Sequence, residues 1–178
     1  MSGDGIDKRA LFLISYGLYV VSSRMGDKLN GQVANAVMQV TSDPMVLACC
    51  LHKENLTTQC IKDSRLFTIS VLEEDTPMTF IGNFGFKSGR DIEKFSSCAC
   101  EFTSREVPYS PDYSLAVIEA EVIDVKEVFT HVLFLGEVKY AKVLKEGKPM
   151  TYSYYHEIKK GKSPKHAPTF GLDTGKVR

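Results

Sequence analysis

Residues 29–55, LNGQVANAVMQVTSDPMVLACCLHKEN, decide how the rest of the chain is understood. They open with Asn30-Gly31-Gln32-Val33-Ala34-Asn35 and turn a corner at Thr41-Ser42-Asp43-Pro44. An apolar strand over residues 45–51 follows, and the stretch ends in His52-Lys53-Glu54-Asn55. Gly31 has no Cβ to keep a ligand away from the backbone. The Asn, Thr and Ser side chains are short hydrogen-bonding groups, and Lys53 is a point positive charge. That inventory suits a ligand with one phosphate and a flat, amide-rich ring better than a metal or an acyl substrate. Small polar residues between strands also serve simply as turns, so these residues alone leave the two readings level.

At 178 residues the chain is long enough to bury a substantial core and is expected to form one domain over residues 1–178. Lys plus Arg and Asp plus Glu number 22 each, giving zero formal net charge. Bulk nucleic-acid binding needs a basic face and is not expected. No apolar run reaches the roughly 18 residues of a membrane span, and the first residues lack the pattern of a signal peptide. Five cysteines, Cys49, Cys50, Cys60, Cys98 and Cys100, fit no metal-site or C-x-x-C spacing. They are expected to be reduced, buried thiols of a cytoplasmic protein.

Working outward, residues 7–16 place Ala10, Leu11 and Ile14 on one face, which predicts a short leading helix. Residues 17–23 and 29–40 predict a hairpin around the Arg24–Lys28 loop. Asn55 is a good N-cap for a helix to Asp63, whose first turn, with Thr57 and Thr58, would point hydroxyls and free N–H groups at a phosphate. Residues 66–72 predict a strand, and Thr76-Pro77 a helix start with Phe80, Ile81 and Phe84 on one side. Lys87 and Arg90 bracket Ser88-Gly89, a second candidate phosphate contact or an exposed basic turn. Residues 115–125 and 131–143 are two long β segments, and the reversed alternation at Ile123-Asp124 predicts a bulge. Long strands with few helices and no βαβ alternation predict a mainly β, nearly closed antiparallel barrel. The tail from about residue 157, aromatic then lysine-rich, is expected to cover a site or face a partner.

Several constellations are missing from the sequence. Gly82, Gly85 and Gly89 do not make a G-x-G-x-x-G, and the run from Gly171 fails the Walker spacing. The four histidines have no metal-ligand spacing, so neither a metal site nor a catalytic side chain is expected. Any chemistry would then belong to a cofactor that the protein positions.

Four blocks carry a resemblance: GLYVVSS at 17–23, NGQVANAVMQVTSDPM at 30–45, NFGFKSGRDIEKF at 83–95 and YYHEIKKGKSPKHAPT at 154–169. Together they resemble the flavin reductase-like FMN-binding family, a split β-barrel, and most of all the flavoprotein module of high-molecular-weight rubredoxins. The resemblance implies a homodimer with one FMN per subunit and NAD(P)H as electron donor. It implies a ring edge against Gln39, Val40, Thr41 and Ser42. It implies a ribityl chain and phosphate along Asn30, Gly31, Ala34, Asn35, Cys50, Leu51, His52, Lys53, Asn55 and Thr57, with Ser88 and Arg90 as contacts reached across the dimer. The rubredoxin C-x-x-C pairs do not occur in this sequence, so a rubredoxin-like protein, free flavin or ferric iron is the implied acceptor. Two other readings stand beside it: a flavin-binding electron-transfer or redox-sensing module that never meets NAD(P)H, and a split barrel handling heme or pyridoxine phosphate.

Overall fold

The computed structural model describes residues 5–170. Residues 1–4 and 171–178, and with them the run from Gly171, lie outside the described residues. Nine strands are present among those described: β1 (Tyr19–Met25), β2 (Lys28–Ala34), β3 (Val37–Ser42), β4 (Met45–His52), β5 (Leu66–Leu72), β6 (Glu101–Phe102), β7 (Pro108–Tyr109), β8 (Ser114–Val128) and β9 (His131–Val143). Three α-helices accompany them: α1 (Leu56–Ser64), α2 (Met78–Gly85) and α3 (Tyr152–Glu157).

Seven strands form one antiparallel sheet in the order β2-β1-β5-β8-β9-β4-β3. The two edge strands, β2 and β3, are consecutive in the chain, joined only by Asn35 and Ala36. A link that short spans roughly 10 Å, at 3.8 Å per Cα step. The opposite edges of the sheet must therefore come together there, which curls the sheet into a split barrel. The expected single returning strand over residues 29–40 is thus two strands on different edges. β1 pairs with β2 only as far as Tyr19 opposite Ala34, and the Val37 N–H turns back to the Asn35 carbonyl at 2.9 Å.

The barrel interior is filled by Val21, Phe67, Ile69, Ala120 and Phe134, and Ile61 of α1 joins it from one end. A second core, built on Val20, Leu72, Phe80, Ile81, Phe84, Met150 and Tyr155, packs α2 and α3 against the outside of β1. β1 is therefore apolar on both faces, which explains its unbroken YVV start. β8 and β9 pair along their whole length with two irregularities. One skips Ile123, the bulge expected from the alternation; the other skips Lys139.

The leading helix is a single stretch of 3-10 helix, Lys8–Leu13, capped by Asp7, whose carboxylate accepts from Arg9 N at 3.0 Å. Its apolar residues find no core: Leu11, Leu13 and Ile14 are exposed. α3 was not expected. Its signal is Thr151, whose hydroxyl accepts from Tyr154 N at 3.1 Å, followed by Tyr152 and Tyr155 three residues apart. No helix among the described residues is long and apolar enough to cross a membrane.

Candidate functional site

A cleft of about 460 Å³ lies where β2, the end of β4, the start of α1, the 86–94 loop and the tail converge. That size suits a small organic ligand. Asn30, Gly31, Ala34, Asn35, Cys50, Leu51, His52, Asn55, Thr57, Ser88 and Arg90 all line it, as expected. Five expected residues do not. Gln39, Val40, Thr41 and Ser42 are exposed on β3, and Ser42 pairs with Met45 at the far end of β4 from His52. At about 3.3 Å per residue this is roughly 23 Å away. Lys53 is exposed and held by its backbone, whose N–H donates to Thr130 O at 3.0 Å. The strand pairing of His52 with His131 turns the next side chain outward.

Several side chains do a different job from the one expected. Thr57 and Thr58 are buried, not outward-facing. Thr57 Oγ1 accepts from Asn30 Nδ2 at 2.7 Å, and Thr58 Oγ1 donates to His52 O at 2.8 Å. Asn55 occupies the N-cap of α1 without capping it through its side chain; its Oδ1 instead accepts from His166 Nδ1 at 2.9 Å. The first-turn N–H groups of α1 are left to another partner. At Gly31 the close approach belongs to the chain itself: an added Cβ would sit 2.8 Å from Ser22 Oγ and 3.1 Å from the Phe84 ring.

The tail, expected to cover a site or face a partner, supplies five further lining residues that the sequence did not single out. Pro164, Lys165, His166, Ala167 and Pro168 line the cleft. They are tied down by Asn35 Nδ2 donating to Thr169 Oγ1 at 3.4 Å, by Tyr152 OH against Thr169 Oγ1 at 2.8 Å and against Ser163, and by Asn55 with His166. Four cations, Lys87, Arg90, Lys94 and Lys165, line the cleft with one carboxylate, Glu54, which sits just before the Asn55 N-cap of α1 and whose backbone Arg90 reaches. Arg90 Nη2 donates to Glu54 O at 3.2 Å, and its N–H to Ser88 Oγ at 3.1 Å. Two amide oxygens in the wall, Asn30 Oδ1 and Gln32 Oε1, are buried without a hydrogen-bond partner. Each such orphan costs about 1–3 kcal/mol until something donates to it.

At the cleft mouth, His52 stacks on His166 with ring centroids 4.2 Å apart and planes 12° from parallel, and His131 meets His52 edge-on at 5.1 Å. Burial first, then the neighbouring His166 and His131, pushes the His52 imidazole below its ordinary pKa. His52, Glu54 and His166 bring three ligand atoms within 4.8 Å of one another. An ion is held in the plane of each imidazole that binds it, and nearly parallel stacked rings share no such point. In this arrangement the trio is a packing contact. The five thiols are all free, and burial raises Cys50, the one lining the cleft, away from thiolate character.

Comparison with known proteins places the chain. The model of the flavin reductase like domain family matches residues 11–160. The chain is 46% identical to the high molecular weight rubredoxin of Moorella thermoacetica, over 93% of this chain and 72% of that protein. It is 45% identical to the ferric-chelate reductase (NAD(P)H) of Archaeoglobus fulgidus, over 93% of this chain and 98% of that protein. Among solved structures, the NADH:FAD oxidoreductase SgcE6 of Streptomyces globisporus shares the fold. Its TM-score is 0.75 at 21% identity, covering 86% of this chain and 95% of that one. The chain belongs to the flavin reductase-like family, and its chemistry is that of a flavin-dependent oxidoreductase.

Proposed function

We propose that the cleft holds FMN and that the protein takes a hydride from NAD(P)H and hands electrons to a separate acceptor. The observation that carries this is the pairing of several lining cations with buried, unpartnered amide oxygens. A phosphate fits beside Arg90, Lys87, Lys165 and the first turn of α1, and ribityl hydroxyls supply the donors that Asn30 Oδ1 and Gln32 Oε1 lack. One phosphate seat, with no second nucleotide-binding loop among the described residues, favours FMN over FAD. When bound, the flavin supplies a two-electron acceptor at its ring. The chain's residues orient it, hold its charge and, through the 164–168 roof, exclude water. The test is the visible spectrum of the purified protein before and after anaerobic NADH or NADPH. Flavin bands that bleach support the reading. Flavin bands that persist leave the electron-transfer or sensing module, and heme or pyridoxal bands would replace the reading altogether.

The seat also ranks the cations. Arg90→Ala removes a charge-assisted contact and is expected to weaken FMN binding by about 1.5–3 kcal/mol. Lys53→Ala, outside the cleft, is expected to leave it unchanged. Fluorescence titration of FMN into both variants decides, and equal losses would move the seat back toward Lys53.

The proposed assembly is a homodimer. Met38 and Val40 on β3 and Met45 on β4 are 63%, 45% and 52% exposed, an apolar edge that a second copy would cover, taking Gln39–Ser42 with it. Light scattering at micromolar concentration should return twice the chain mass of 19.8 kDa; the single mass would end the proposal.

The proposed acceptor is a rubredoxin-like protein, because one relative is a rubredoxin and because Lys160, Lys162 and Lys165 are exposed beside the cleft, with Lys159 half-buried among them. An acidic partner would be steered there, with rates raised about 10–10³-fold and damped by salt. Electron transfer to added rubredoxin that ignores both ionic strength and the replacement of all four lysines by Gln would favour free flavin or ferric iron.

A further inference from the structure

The hairpin of β8 and β9 turns through two residues, Phe129 and Thr130, between the paired Val128 and His131. Phe129 alone of the two has a positive φ, 50°. A two-residue loop of that kind takes glycine at its first position, where a Cβ crowds the backbone. The position holds a phenylalanine instead, and its ring is 96% exposed. It belongs to neither hydrophobic core. Backbone and solvent thus both argue against this residue, and no core contact offsets either cost. The turn is nonetheless held. Thr130 O accepts from the Lys53 N–H at 3.0 Å, Thr130 Oγ1 meets His131 Nδ1 at 2.9 Å, and Lys62 Nζ of α1 donates to Glu127 at 2.7 Å. The ring is therefore presented from a fixed backbone.

We propose that Phe129 is the anchor on which the electron acceptor docks, a small acidic redox protein with an apolar patch beside its redox centre. The inference rests on the FMN and acceptor readings of the cleft. Location supports it. His131, two residues on and so within roughly 7 Å along the chain, meets His52 edge-on, and His52 stacks on His166 of the roof. The ring stands at the cleft mouth, where an acceptor must come to collect electrons.

Charge supports it as well. Lys53 and Lys126 are exposed beside the turn, and Lys165 beside His166. Against them stand Glu54, Asp124 further back along β8, and Glu127, which is paired with Lys62 at 2.7 Å. The surplus is positive and attracts an acidic surface from a distance. An exposed aromatic on a rigid support is suited to be a binding hot spot, because little freedom is lost on docking. The lysines then set how fast the partner arrives, and the ring how long it stays. A hydride carries two electrons and one proton. A one-electron acceptor must dock twice for each hydride, with the proton left to water, so a small contact that forms and breaks quickly suits the task. The apolar edge assigned to the homodimer lies at the other end of β4, at Met45, since His52 is the residue paired with His131.

Stopped-flow mixing tests this: flavin-loaded protein, reduced with one equivalent of dithionite, is mixed with an acidic rubredoxin. Wild type, Phe129→Gly and Phe129→Tyr are compared. Phe129→Gly should lower the second-order rate constant about 30-fold, the loss expected when an interface anchor is truncated. Phe129→Tyr, which keeps the ring, should stay near the wild type. Oxidation by ferricyanide, too small to need an anchor, should be the same in all three. The Tm of Phe129→Gly should not fall, because relief at the positive φ outweighs the added freedom of glycine in the unfolded chain. Wild-type rubredoxin kinetics in Phe129→Gly would overturn the anchor and leave the acceptor reading standing. A wild type that ferricyanide oxidises but rubredoxin does not would refute the acceptor reading, and the anchor with it. A lower Tm would show that the ring serves the fold, and a halved mass in light scattering that it serves a second copy; either overturns the proposal.

Discussion

Gly89→Ala is expected to cost both fold stability and FMN. A Cβ at this position would lie 1.8 Å from Asn30 Oδ1, 2.8 Å from its Cγ and 3.2 Å from Leu56 Cδ2. Asn30 is 2% exposed and holds Thr57, so it cannot yield without breaking that hydrogen bond. Overpacking of this kind costs about 1–3 kcal/mol, and the stranded hydroxyl and amide add about 1–3 kcal/mol. FMN affinity should fall with it, because the displaced amide belongs to the wall facing the ribityl chain. Gly82→Ala is the control: nothing lies within 4 Å of its added Cβ, and a mid-helix Ala should stabilise by about 0.5–1 kcal/mol. Thermal melts and FMN titrations of the pair decide. If Gly89→Ala behaves like Gly82→Ala, the wall is not as tight as the structure has it.

The largest effect on stability should come from Phe67→Ala. Phe67 is fully buried in the barrel core, and its ring occupies the space over Gly136, where an added Cβ would be 2.7 Å from two ring carbons and 2.9 Å from Ala120 Cβ. Truncating a buried Phe costs about 3–5 kcal/mol, or roughly 10–15 °C in Tm for a chain of this length. Gly136→Ala alone should also destabilise, by overpacking. Combined with Phe67→Leu it should recover part of that loss, since the two share one space. Strict additivity in urea unfolding of the double variant would show that they do not.

Local pattern made much of this fold legible. The Ile123 bulge announced itself by reversing an alternation, and Pro77 before Phe80, Ile81 and Phe84 marked α2. The strand over residues 66–72 followed from its composition. The break at Asn35 did not, because residues 29–40 are uniformly compatible with one strand; the first half pairs back with β1 and the second half forward with β4, and the stretch itself does not mark where the change falls. The cleft was only half legible as well. Asn30, Asn35, Cys50, His52, Asn55 and Thr57 lie close in sequence and do converge. The roof comes from residues 164–168, and the His52, His131 and His166 cluster joins three distant segments. Nothing in the sequence singles out Lys94, which is buried. Its burial depends on carbonyls at the end of a helix some ten residues earlier, which no spacing rule reveals.

The roof is also the last part of the site to exist. A nascent chain grows by about 5–20 residues per second, so β2, α1 and the Ser88–Arg90 loop are polypeptide for several seconds before Lys165 and His166 are joined on. During that interval Asn35 lacks Thr169 and Asn55 lacks His166, the contacts that seal the cleft. A ligand stabilises only the species that binds it. A flavin bound under that roof would reward synthesis through the tail: a ribosome that stalls before it releases a chain with a fully formed barrel sequence and an open-topped site, and the expected mark of such a chain is a lower cofactor content.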